Sequence, residues 1–173
     1  RWIMLKQRVI VSLCALPIII ALVWFGEPWF TIFLACWGLL ASIEFYKIVR
    51  KNKIPVVTYF GIAWSVLFVL HPHLDKQWAL PALLTGAIFL PLIWILIRPD
   101  KEQAFNGWVW TIAGIIYIGW LLSFLVLLRG QHDPVSGVDH GRNWVFLALF
   151  ITFGSDSAAY LIGRRWGKHH MAP

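Results

Sequence analysis

The residues best equipped for chemistry lie between Gly154 and Lys168, in the stretch GSDSAAYLIGRRWGK. It carries one acid, one phenol, and a basic exit formed by Arg164, Arg165 and Lys168. Wound as an α-helix, it sets Asp156, Tyr160, Gly163 and Gly167 along one stripe, because side chains three and four positions apart share a face. Asp156, Tyr160, Arg164 and Lys168 also step by four, so the acid and two cations lie on roughly one side. An acid at the centre of a membrane helix costs about 2.5–3.5 kcal/mol and is a functional-site hypothesis by default. The functional reading of Asp156 is a metal-binding or catalytic acid in a wet cavity, roughly 12 Å along the helix from Arg164. Arg164, Arg165 and Lys168 are suited to phosphate, and Gly163 and Gly167 let a backbone or ligand come close. Against this stands a structural acid paired with a basic residue of another helix. The cations, likewise, could simply anchor the helix to an anionic lipid surface.

The elements that must position these residues are membrane helices. Of 173 residues, 60% are hydrophobic and only 13% charged, about half the charged share of a soluble domain. The predicted class is an all-α, polytopic transmembrane bundle of about six spans, forming one domain over 1–173. The apolar runs fall at about 9–25, 29–48, 54–70, 78–97, 108–128 and 144–162. At 1.5 Å per residue, runs of about 17–21 residues match a hydrocarbon core of about 30 Å. The third is the shortest, and Pro17, Pro81 and Pro91 fall inside others. The runs are continuous rather than alternating, which argues against a β-barrel. The first reads as a retained helix, since no small-residue cleavage site follows it.

Charge sets the orientation. With the N-terminus cytoplasmic, the inner segments hold Arg1, Lys6, Arg8, Lys47, Arg50, Lys51, Lys53, Arg98, Lys101, Arg164, Arg165 and Lys168, and the outer ones hold only Lys76, Arg129 and Arg142. That bias follows the positive-inside rule and puts the basic exit at the cytoplasmic face. It also accounts for the net charge of +7 without nucleic acid, for which no binding module is present. Glu44, the other intramembrane acid, either helps line the same cavity or pairs with Lys47 near the interface. The His71/His73 pair and the group His132, Asp133, Asp139, His140 fit no zinc spacing and read as solvated loops. Cys14 and Cys36 read as small buried hydrophobes.

Asp156-Ser157-Ala158-Ala159-Tyr160, Gly163-Arg164 and Gly167-Lys168 resemble the D-[ST]-x-A-Y-x-x-G-R-x-x-G-K stretch of phosphatidate cytidylyltransferases. Arg8 at the first span and Glu44-Phe45-Tyr46 near the end of the second resemble that family's R-[VI]-[IV] start and E-F-Y element. Ala158 stands where the family often has Gly, and the sequence stops before the family's C-terminal signature, like the N-terminal portion of such an enzyme. The resemblance implies an integral membrane transferase of the cytoplasmic membrane that joins CTP to phosphatidate with Mg²⁺, at a site on the cytoplasmic side. It implies Asp156 as metal ligand and catalytic acid, Tyr160 and Lys168 as catalytic partners, and Gly163, Arg164, Arg165, Gly167 and Lys168 around the substrate phosphates. A homodimer is compatible with it. The rival readings are a membrane transporter with Asp156 and Glu44 along a polar path, a CTP-dependent lipid kinase, and a non-catalytic scaffold subunit.

Overall fold

A computed structural model describes residues 15–74, 76–97, 101–132 and 139–167. The opening of the first span with Arg1, Lys6, Arg8 and Cys14, the loop residues Arg98 and Asp133, and Lys168 lie outside the described residues. Among the described residues the chain is helical, with no strand. The elements are α1 (Ala15–Phe25), α2 (Trp29–Lys51), α3 (Thr58–Leu70), a 3₁₀ turn (His71–His73), α4 (Ala79–Ile97), α5 (Lys101–Gly114), a π segment (Ile115–Trp120), α6 (Leu121–Arg129) and α7 (His140–Trp166). Trp29–Lys51, Gln103–Arg129 and His140–Gly163 are each long and apolar enough to cross a membrane.

The third span is shorter than the sequence expectation of 54–70. Its helix, α3, has only 13 residues, about 20 Å of rise against a hydrocarbon core of about 30 Å. The reason is local. Pro55 disfavours helical backbone at Ile54, Lys53 turns left-handed at φ 61°, and 54–57 carries no helix. The Val57 N–H is satisfied instead by Thr111 Oγ1 at 3.1 Å. The fifth and sixth spans extend beyond the expected 108–128 and 144–162. The sixth starts early because the Asp139 carboxylate caps α7, accepting from the Arg142 N–H at 3.0 Å. An oxygen at that position satisfies one of the donors a helix start leaves unpaired.

The bundle packs through small clusters rather than one broad core. Val23, Phe30, Leu34, Val69, Val126 and Val145 form one, and Phe68, Ala87 and Ile115 another. The indole N–H groups of Trp64 and Trp108 both donate to α4 carbonyls, Leu83 O at 2.8 Å and Ile88 O at 2.9 Å. Gly119 rests on the backbone of Ser65, where a Cβ would overlap it. Cys36 is exposed on α2 rather than buried as the sequence suggested. An apolar exterior is the expected state of a helix that faces lipid.

One end of the bundle is tied by charge. The Arg129 side chain is buried and donates from Nε to Val23 O at 2.9 Å and from Nη1 to Asp139 Oδ1 at 2.8 Å. Three helix ends therefore meet on one guanidinium: the last turn of α1, the end of α6 and the cap of α7. Gly26 closes α1 at φ +72°, where a side chain would be strained and would run into the Arg129 guanidinium. Beside this tie, His73 links the α3–α4 connection to α2, with Nδ1 3.1 Å from Glu27 Oε2 and Nε2 2.9 Å from Thr31 Oγ1.

Candidate functional site

From Gly154 to Trp166 the GSDSAAYLIGRRWGK stretch lies on α7, which runs without a break from its Asp139 cap to Trp166. No proline interrupts 154–166, and the chain leaves the helix at Gly167, whose N–H closes on Gly163 O at 2.9 Å. The helical spacing predicted for Asp156 and Tyr160 therefore holds, and the two lie one turn apart on one stripe. The hydroxyls of Thr152 and Ser155 are committed to carbonyls of their own helix, Ala148 O at 2.8 Å and Thr152 O at 2.9 Å.

Packing divides α7 in two. Val145 is fully buried, with Phe146 and Leu149 half-buried against α6 and the first core cluster. From Phe150 to Gly163 every residue is exposed. Asp156 and Tyr160 both fall in this second part, and Tyr160 is 62% exposed. Among the described residues Asp156 makes no ion pair, so the alternative of a structural acid locked to a basic partner finds no support there. Gly163 likewise meets nothing that would exclude a Cβ. Arg165 is exposed, while the side chain of Arg164, and Lys168 altogether, fall outside what is described.

Among the described residues no hydrogen bond or ion pair joins Glu44 to Asp156. Glu44 is exposed on α2, between Ser42 and Tyr46, both fully buried. At 100° per residue, a position two away from each of these points off the packed stripe. No group of three or more His, Cys, Asp or Glu assembles among the described residues. Asp156 is a chemically suitable ligand for a hard cation, but the described residues do not complete a metal centre around it.

Two features escaped the sequence reading. Asp139 was grouped with solvated loop residues, yet it caps α7 and pairs with Arg129. Burial works against its ionisation, but the Arg142 N–H and the Arg129 charge outweigh this and hold its carboxyl below the usual range. The second is Tyr46, the last residue of the E-F-Y element. Its hydroxyl donates to Thr111 O at 2.8 Å in the interior. Only the arginine hinted at the first: an unneutralised cation closing an apolar run needs an acceptor.

A model of the cytidylyltransferase family matches residues 6–173. The chain is 28% identical over 169 residues to the phosphatidate cytidylyltransferase of Brucella suis biovar 1 (strain 1330), covering 98% of this chain and 58% of the relative. It is 30% identical over 189 residues to phosphatidate cytidylyltransferase 4, chloroplastic, of Arabidopsis thaliana, covering 95% and 48%. It is 23% identical over 178 residues to the phosphatidate cytidylyltransferase of Bacillus subtilis (strain 168), covering 98% and 62%. The chain thus spans between about half and three-fifths of the length of these relatives. No solved structure matches it. The stripe on α7, the E-F-Y element and the all-helical bundle thus fall within a match that runs over nearly the whole sequence, and the chain belongs to the cytidylyltransferase family.

Proposed function

We propose that the complete protein makes CDP-diacylglycerol and pyrophosphate from CTP and phosphatidate, and that α7 supplies part of the site. The carrying observation is the stripe itself: Asp156 and Tyr160 stand one turn apart on an unbroken helix that is exposed from Phe150 to Gly163, with the basic exit following in sequence. In the reaction a phosphate oxygen of phosphatidate forms a bond to the α-phosphorus of CTP. The bond from that phosphorus to the oxygen bridging it to the β-phosphate breaks, and pyrophosphate leaves with that oxygen. No covalent intermediate on the protein is required, so catalysis amounts to positioning and charge neutralisation.

Arg164, Arg165 and Lys168 neutralise phosphate oxygens in this reading, and Gly163 and Gly167 keep the helix exit low enough for the headgroup to approach. Tyr160 donates a hydrogen bond to substrate or orients the Asp156 carboxylate. Mg²⁺ belongs to the proposal: Asp156 would be one of its ligands, and the ion would supply positive charge to offset the negative charge developing on the phosphates. The charge asymmetry of the loops supports a multi-pass protein of the cytoplasmic membrane, one domain over 1–173, with α7 ending at the cytoplasmic face where CTP is found. Assembly as a homodimer is part of the same reading, and cross-linking in native membranes tests it.

The experiment is a label-transfer assay on the complete protein with phosphatidate vesicles. Label from α-³²P-CTP is expected in the lipid, and label from γ-³²P-CTP in released pyrophosphate. Appearance of the γ-label in the lipid would convert the reading to a lipid kinase. Absence of transfer from either would return it to a transporter or scaffold.

A further inference from the structure

The span from Lys101 to Arg129 changes winding in its middle. Ile115–Trp120 is π-helical, and the Leu121 N–H reaches back five residues to Ile116 O as well as to Ile118 O. Such turns bond less favourably than α-helix, are rare, and occur frequently at functional positions. One that persists must be held by its surroundings.

The surroundings here are specific. Thr111 O lies one α-turn before Ile115, the first π residue. In this structure it accepts the Tyr46 hydroxyl at 2.8 Å. The Thr111 hydroxyl donates to Gly107 O at 2.6 Å and accepts the Val57 N–H at 3.1 Å, so α2, the stretch before α3 and α5 converge on one residue. Tyr46 has no exposure, and its ring is seated between Gly61 and Gly114, either of which would overlap it if it carried a Cβ. At the far side of the segment Gly119 sits against the Ser65 backbone. One turn along the same stripe of α2, Ser42 is equally buried, but its hydroxyl has no hydrogen-bond partner. Beyond the segment, α6 is fixed at Arg129 to α1 and α7. Any change of winding therefore acts on the α5 side, where the span is held by hydrogen bonds through Thr111 and Trp108.

We infer that Ile115–Trp120 is the compliant joint of this span, latched by the Tyr46 hydroxyl on the Thr111 carbonyl. With the latch closed, α5 is locked to α2 and to the residues before α3. With it open, the π turn can relax and α5 can rotate against a fixed α6. The latch is independent of the chemistry assigned to Asp156.

Hydrogen exchange resolved by peptide, on the full chain in lipid nanodiscs, tests this with Tyr46→Phe and Ser42→Ala side by side. Tyr46→Phe keeps the ring and removes only the hydroxyl; it is expected to speed exchange within 111–121 at least tenfold while peptides from α3 and from 122–129 keep their protection. Ser42→Ala removes a hydroxyl with no partner and is expected to change nothing. Unchanged protection of 111–121 in Tyr46→Phe overturns the latch, as does a uniform rise across α2, α3 and α6 or an equal effect from Ser42→Ala. A measurement on the unaltered sequence guards against a variant that fails to fold. With ¹³C at the Thr111 carbonyl, its amide I band is expected below that of a similarly labelled α6 carbonyl, because it accepts the extra hydroxyl. Coincident bands contradict the latch.

Discussion

The two halves of α7 obey different rules. The first is held by a capping carboxylate, a buried guanidinium and Val145 in the core; the second, from Phe150 to Gly163, is exposed at every residue. The first half has one acid, fully committed, and the second has one acid with no described partner. A polar group inside an apolar assembly is tolerated when it is satisfied, and Asp139 meets that condition through Arg129 and Arg142. Asp156 does not, which is why it stands as the residue waiting for something outside the described fold.

The sharpest way to break this contrast is at Arg129. Arg129→Ala leaves Asp139 without its counter-charge and Val23 O without its donor. A loss of about 3 kcal/mol is expected, in the range for opening a buried pair, read as a fall in the denaturation midpoint of the purified protein. A loss below about 0.5 kcal/mol would show the tie to be ornamental. Next comes Val145→Ala, expected to cost about 2 kcal/mol through lost packing. Its counterpart Phe153→Ala, in the exposed half of α7, should stay within about 0.5 kcal/mol. Equal costs for the two would erase the division.

The pH dependence sharpens the same point. The folded-state pKa of Asp139 is lowered, so the unfolded chain binds its proton first as pH falls. The stability it contributes is complete above the ordinary carboxylate pKa of about 3.9 and is lost as pH drops through the lowered folded value. Unfolding followed from pH 7 downward should show that loss in the unaltered protein and lack it in Asp139→Asn. A further expected effect is catalytic: Tyr160→Phe in the complete protein should slow turnover about tenfold, the worth of one hydrogen bond of about 1.4 kcal/mol.

The sequence made much of this legible. Apolar runs of membrane length announced the bundle, and the four-residue step from Asp156 to Tyr160 announced the stripe, because both depend only on local periodicity. The short α3 was half-visible in Pro55, whose consequence depended on finding a partner for Val57 in Thr111, 54 residues away. The Arg129–Asp139 pair was hidden because no local pattern says that a loop acid turns back to cap a helix and meet the preceding helix's last cation. Tyr46 was hidden more deeply. Its place in an E-F-Y element marked the position, but its role depends on a winding defect in another helix that composition does not reveal. Glu44 shows the opposite limit: an intramembrane acid attracted attention, and helical geometry turned it away from the packed face.

The account rests most directly on Asp156, and one paired measurement addresses it: CTP-dependent formation of CDP-diacylglycerol and the unfolding midpoint, both on the complete protein carrying Asp156→Asn. The expected result is a fall in turnover of about a hundredfold or more, the scale of a lost electrostatic contact in a transition state, with the midpoint unchanged. Near-normal turnover, or a loss of turnover that follows a loss of folding, would contradict it.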